Sequence, residues 1–368
     1  MCQAFVMDEW DIASADQSLQ VGARHHTVPA FYLRRFGNPN EQLWVRDRRS
    51  PKAGLRKIAD LAIKDFYTFI NIDGEPDGRL EQLLTRVEGW AASALRRATS
   101  SVTWGSPVHS QDHADIALFM AFQYARGPRR RRELEVMSDL YTRLVQLNEP
   151  VHGGRREVAE YRAQLREFRE LEFAAHPNMH LSTLSPLAQK LYPYFAERPL
   201  CVVSLTAGAL VTCDEPIAAF REDGNPAPVL APARQRVRTR RRQGARKARR
   251  ATLFHVQKAG HHGLALADQI AMPVGRRTII VMGDPEISLP SHVRLSPDES
   301  MMAAEALNRR LIEQTYFCAF SHPEDQHLLA QPLPELGPLF HLGGTRPEDG
   351  VIAANPLSHP RPQLFGRK

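Results

Sequence analysis

The chain has 368 residues, 43% of them hydrophobic and 24% charged, with a formal net charge of +7. That length supports one large or two modest domains with real cores, and the composition excludes collagenous, disulfide-stapled and wholly disordered classes. No run reaches the roughly eighteen apolar residues of a membrane span, and Asp8, Glu9, Asp11 and Asp16 stand where a secretory leader would be basic and then apolar, so no membrane is expected and the location is cytoplasmic by default.

In chain order, residues 1–23 read as a flexible arm. Thr27 is placed to cap a helix over 30–36, with Pro29 in its first turn, where a missing N–H costs nothing. Gln42 to Arg48 alternates apolar and polar residues and predicts a strand; Asp65 to Asn71 predicts another. A helical period follows over 80–97, then a helix over 112–125 that is apolar on most sides and stops at Arg126-Gly127-Pro128. Amphipathic patterns over 133–146 and 158–175, and a shorter one over 184–195, complete an all-helical middle.

After Pro199 the period returns to two. Residues 200–205 and 209–212 predict strands, and 268–272 with 277–282 predict a pair that turns at Gly275. Pro297 opens a last helix, expected to run to about Phe320, with Ser296 and Glu299 spaced as a capping box. Residues 326–368 read as a Pro-rich tail. The fold expected is α+β: a mostly helical middle packed with a small mixed sheet formed by N-terminal and C-terminal strands, in one integrated domain over 24–325.

The basicity is local. Residues 234–250 hold nine Arg and one Lys with no acid, so removing that +10 from +7 leaves −3 for everything else. The surrounding 221–250 is Pro-containing and reads as a disordered basic insertion able to hold nucleic acid through phosphates; with no aromatic residue in 234–250 to stack bases, such binding is indifferent to sequence. The cysteines at 2, 201, 213 and 318 lack metal-ligand spacing and are expected to be reduced.

Three pieces together resemble a bacterial family labelled domain of unknown function 4238. HHTVPAFYLRRF, from His25 to Phe36, is similar to its opening His-His-x-x-Pro-x-x-x-Leu-x-x-Phe. LVTCDEPI, residues 210–217, resembles its Asp-Asn-Pro strand end, with Glu215 in place of the usual Asn and Cys213 also departing. NRRLIEQTYFCAFS, residues 308–321, resembles its late Asn-Arg helix. The likeness spans roughly 24–325 and implies a fold and a site built from these motifs, with no reaction attached.

The candidate site gathers His25, His26 and Asp214 as catalytic groups. With Glu81 or Glu88, which share a helical face two turns apart, they form a mixed imidazole–carboxylate set suited to a divalent metal such as Zn²⁺, Mn²⁺ or Fe²⁺. Structural roles compete: paired histidines tie a segment down, and helix glutamates pair with arginines. Arg126 and Arg309 are candidate phosphate ligands, since a guanidinium grips phosphate in two-pronged fashion. HHTVP is also similar to the His-His-x-x-Pro of some HNH nucleases, although no histidine follows before His109. The expected activity is that of a metal-dependent hydrolase, a nuclease in its specific form, acting on nucleic acid or a phosphoester in a bacterial defence or mobile-element setting. The alternative is a non-catalytic module that binds nucleic acid or protein.

Overall fold

A computed structural model describes residues 24–61, 63–64, 69–70, 76–100, 105–148, 154, 156–157, 159–160, 177–221, 255–257, 264–336, 341–343 and 351–352. The described residues within 1–128, 181–251 and 261–336 make one compact unit, and those within 129–180, 252–260 and 337–368 a second. The basic segment 234–250 lies outside the described residues, as does the arm 1–23.

The chain opens with β1 (Arg24–His25), α1 (Ala30–Leu33), β2 (Gln42–Asp47), β3 (Gly54–Lys57), β4 (Ile63–Lys64), β5 (Phe69–Ile70) and β6 (Pro76–Asp77). Two long helices follow, α2 (Arg79–Ala98) and α3 (Ser110–Ala125), which pack on each other. The buried set of α2, which includes Leu80, Leu83, Leu84, Val87, Ala91, Ala94 and Leu95, recurs every three or four residues, the signature of one apolar stripe. By contrast, α3 buries every residue from Asp115 to Gln123, because it runs through the core and has no solvent face over that span. The helical run continues with α4 (Pro128–Asn148), α5 (Pro177–Leu191) and α6 (Pro193–Ala196).

The second half supplies β7 (Leu200–Ser204), β8 (Thr212–Cys213), β9 (Ala218–Phe220), β10 (His255–Gln257), β11 (Gln269–Gly275), β12 (Thr278–Met282) and β13 (His292–Arg294). Then come α7 (Pro297–Gln314), β14 (Cys318–Ser321), β15 (His341–Gly343) and β16 (Val351–Ile352). Five strands form a mixed sheet in the order β13-β7-β12-β11-β9, with only β13 parallel to its neighbour. All seven residues of β11 are buried, and Pro273 borders a register shift, the kind of place where a sheet tolerates a proline. A second, antiparallel sheet runs β3-β2-β14-β8, so strands from the two ends of the chain meet in one sheet, as the pattern predicted. In the second unit, β10, β15 and β16 pair into a three-stranded sheet, which places two short strands in the Pro-rich tail.

The capping box forms as expected: the Ser296 hydroxyl accepts from the Glu299 N–H, and the Glu299 carboxylate accepts from the Ser296 N–H at 2.9 Å. Four local readings change. The helix after Pro29 is one turn, not two, and Pro29 is its N-cap in extended conformation (φ −56°, ψ 142°), so Thr27 makes no cap. The last helix stops at Gln314, and the β-branched and aromatic run that follows delivers β14 instead. Predicted 184–195 is the end of α5 plus α6, separated at Tyr192 because Pro193 starts a new helix. Predicted 209–212 yields strand only at Thr212–Cys213. Predicted strand 65–71 is described only at Phe69–Ile70, and most of 158–175 lies outside the described residues.

Candidate functional site

The opening motif fixes distant chain to itself. Val28, Tyr32, Leu33 and Phe36 are buried, and backbone bonds from Leu33 N–H to Pro29 C=O and from Arg34 N–H to Ala30 C=O close the turn that presents them. The Tyr32 hydroxyl sits 2.8 Å from Thr212 Oγ1 of β8 and donates to the Pro273 carbonyl of β11, so one phenol spans the two sheets. Burial pushes the Tyr32 pKa well up, which keeps it a neutral donor. His26 Nε2 lies 3.0 Å from the Ile58 carbonyl, and the Thr27 carbonyl accepts from Gln123 Nε2 at 3.1 Å. His25 is in β1, where it is the cross-strand partner of Ile63; its side chain lies outside the described residues.

Gln123 leads to the second cluster. Arg126, 1% exposed at the end of α3, donates from Nε and Nη2 to Gln123 Oε1 (2.8 and 2.6 Å) and from Nη1 to Glu88 Oε1 of α2 (2.7 Å). Its guanidinium also lies 6.0 Å from the centre of the Phe119 ring. Such a buried cation is tolerable only when every donor finds an acceptor, and Glu88, partly exposed, carries the balancing charge. Glu215 comes in beside it: its carboxylate occupies the space that a Cβ on Gly127 would take. Gly127 is therefore needed for close approach, and Glu215, not the Asn of the motif it resembles, is the group that uses the space.

Asp214 organises the third cluster. Its Oδ1 accepts from the Tyr316 N–H at 2.9 Å, and its Oδ2 from the N–H groups of Phe317 and Cys318, the latter at 3.1 Å. The carboxylate is buried, and burial raises its pKa to about 6 against the opposing pull of those three N–H donors and of Arg48. Arg48 is itself tied to the carbonyls of Tyr316 (3.0 Å) and Thr315 (2.9 Å). From α7, Asn308 clamps the approach to Asp214, accepting from the Val211 N–H and donating to the Ala209 carbonyl, both at 2.9 Å. Gln314 holds the exit by donating to the carbonyls of Glu215 and Ile217. Arg309, one residue beyond Asn308, instead pairs along the helix surface with Glu305 at 2.7 Å.

Of the predicted site residues, the structure joins Glu88 to Arg126 directly; Asp214 bonds the turn before β14, and His26 bonds Ile58. Glu81 lies in the first turn of α2, two turns before Glu88. Among the described residues, no group of three or more His, Cys, Asp or Glu side chains could hold a metal ion. What His26, Glu88, Arg126 and Asp214 do as described is fasten segments far apart in sequence, using the lone pairs and N–H groups that chemistry would also need. Sequence reasoning missed Arg198, which donates to the carbonyls of Tyr194, Gly283, Leu264 and Ala267; a lone Arg before a proline gave no signal. Asn308 and Gln314 were inside a quoted motif, and their side-chain chemistry was the available hint.

A family model described as Protein of unknown function (DUF4238) matches residues 24–325. No curated protein and no solved structure matches the chain.

Proposed function

The chain belongs to the DUF4238 family, whose description assigns no reaction, and from the residues of this member we propose that it binds nucleic acid through its phosphate backbone. The observation that carries the reading is the segment 234–250, with ten cationic residues and no acid in seventeen. Its attachment supports it: Phe220 of β9 and Gln269 of β11 are cross-strand partners, so the chain leaves and re-enters the five-stranded sheet at one place. Arg198 fixes the returning chain at Leu264 and Ala267. A cationic segment in the stretch between β9 and β11 can follow a phosphate backbone while those two strands stay paired.

Hydrolysis is the weaker reading. His26, Glu88 and Asp214 each meet a hydrogen-bond partner from the fold, and in the described residues they are not gathered around one point.

The test is fluorescence anisotropy with labelled single-stranded DNA, duplex DNA and single-stranded RNA of unrelated sequences, titrated across salt. The expected result is sequence-indifferent binding whose log K falls linearly with log salt, by roughly 0.7–0.9 per phosphate contacted, and which weakens at least about tenfold when 233–250 is deleted. Unchanged affinity in the deletion overturns the reading. Strand cleavage with Mn²⁺ or Zn²⁺, lost in His26→Ala, would replace it with a nuclease.

A further inference from the structure

The β2–β3 hairpin concentrates charge in the folded part of the chain. Residues 42–57 carry Arg46, Arg48, Arg49, Lys52, Arg56 and Lys57 against the single acid Asp47, a local net charge of +5 (six minus one). Three of these cations are used by the fold. Arg46 donates to the Leu329 and Ala330 carbonyls, Arg48 to those of Thr315 and Tyr316, and Arg49 pairs with Asp47 at 2.8 Å while lying over the Phe317 ring. Carbonyls orient a guanidinium without cancelling its charge, so Asp47 is the one acid of the hairpin itself, with Asp214 acting on Arg48 from outside it.

Lys52, Arg56 and Lys57 remain exposed, and among the described residues none meets a carboxylate. They stand on and beside β3, the edge strand of the four-stranded sheet. The Ile58 N–H bonds the carbonyl of Glu41, just before β2, so by alternation Leu55 and Lys57 turn their N–H groups to the side that no described strand pairs. Edge strands often carry a lysine simply to discourage pairing with another chain. One charge suffices for that, whereas a +5 hairpin with outward N–H donors offers the two kinds of group that contact phosphates.

We infer that this hairpin is a second, folded phosphate-contacting surface, which a nucleic-acid backbone follows along the β3 edge. The inference rests on the nucleic-acid reading above but not on the segment 234–250. A lipid surface fits less well: Leu55 is the one large apolar side chain exposed on the hairpin among the described residues, and arginines, whose planar forks suit phosphodiesters, outnumber lysines.

The experiment compares the full chain, the triple variant Lys52→Gln, Arg56→Gln, Lys57→Gln, and the 233–250 deletion, each confirmed folded by circular dichroism. Binding is read by anisotropy on single-stranded DNA, duplex DNA and single-stranded RNA, and by co-flotation with phosphatidylserine vesicles. The triple variant is expected to weaken oligonucleotide binding at least about fivefold at low salt and to flatten the salt slope by roughly 0.7–0.9 for each phosphate no longer neutralised. Weakened binding in the triple variant with none in the deletion upholds the hairpin and overturns the basic segment. Weakened binding in the deletion alone, with full-chain affinity and slope in the triple variant, overturns the hairpin and leaves the basic segment standing. Flotation that depends on the three cations, without oligonucleotide binding, overturns both in favour of an anionic membrane.

Discussion

The five-stranded sheet and the motif-bearing clusters around Tyr32, Arg126 and Asp214 are held by different forces. In the sheet, β7, β11 and β12 bury nearly every side chain, most of them apolar, and neighbouring strands are tied by a regular ladder. In the clusters, single polar atoms join residues far apart in sequence: Tyr32 to Thr212, Arg126 to Glu88, Asp214 to the N–H groups of 316–318. Apolar burial degrades gradually, since removing a methyl costs in proportion to its size. A buried polar bond fails abruptly, because removing one partner strands the other. The clusters should therefore dominate single-site sensitivity although the sheet strands are almost wholly buried.

The largest effect is expected at Arg126. Replacing it by Ala leaves Gln123 and the charged Glu88 without their buried donor and opens a void beside Phe119. A destabilisation of about 3–5 kcal/mol in chemical denaturation is expected. Arg126→Lys should recover little, because an ammonium cannot serve Gln123 and Glu88 in the same planar geometry. A destabilisation below about 1 kcal/mol for Arg126→Ala would show that the cluster is peripheral and would break the contrast with the sheet.

Asp214 comes next, and it gives the comparison a pH axis. Its folded pKa, about 6, lies above the ordinary aspartate value of 3.8, so the folded state holds the proton more tightly than the unfolded state. The stabilisation this provides is fully present below about pH 4 and is lost as pH rises through 6. A pKa raised by about two corresponds to at most about 3 kcal/mol. Other carboxylates, such as Asp77 beside Arg79, are held below their ordinary value and act with the opposite sign, so the whole-protein profile mixes the two. Asp214→Asn, which does not titrate, isolates the group: the wild-type advantage over the variant should shrink between about pH 4 and pH 7. An advantage that is flat or growing across that range would mean that the three N–H donors outweigh burial.

Tyr32→Phe tests one atom. It removes the hydroxyl from Thr212 Oγ1 and the Pro273 carbonyl while keeping the ring against Phe36 and Phe119. About 1–3 kcal/mol is expected, the cost of leaving buried groups unsatisfied. For contrast, Ile280→Val in the centre of β12 should cost about 0.5–1.5 kcal/mol. If the tyrosine hydroxyl matters less than that one methylene, polar ties do not outrank apolar burial at single sites.

What was legible in the sequence follows the same division. Periodic burial announces itself locally, so α2, α3, the β11–β12 pair and the Ser296 capping box could be read in place. The meeting of the chain's two ends in one sheet was readable from strand patterns flanking a helical middle. Polar ties do not announce themselves, because a residue's partner can lie 180 positions away, as Thr212 does from Tyr32. His26, Glu88 and Asp214 stand out for their chemistry, and in the described contacts each bonds a group of the fold. Boundaries shifted where a β-branched and aromatic run met a helix end: Thr315 to Phe320 reads as a continuation of α7, but the helix stops at Gln314 and tertiary pairing with β2 and β8 makes a strand from Cys318 on.

The smallest effect expected is that of removing 233–250, and it bears on both regions at once. The five-stranded sheet is already closed across the longer stretch 221–268, which contains this segment and β10: Phe220 pairs with Gln269, Ala219 with Ile270 and Ala218 with Ala271, and the Asp268 N–H bonds the Phe220 carbonyl at 2.9 Å. None of those bonds involves a deleted residue, and Arg198 anchors the returning chain independently at Leu264 and Ala267. Shortening the connection between β9 and β10 changes closure entropy only logarithmically; cutting its length by half returns about 0.6 kcal/mol. Removing ten like charges also relieves repulsion at low salt. The melting temperature of the deletion should therefore stay within about 3 °C of the full chain or rise slightly, while its retention on a phosphate-bearing resin falls. A drop of about ten degrees or more would show that 233–250 packs against the sheet, and a segment that packs there is not a separable binding element.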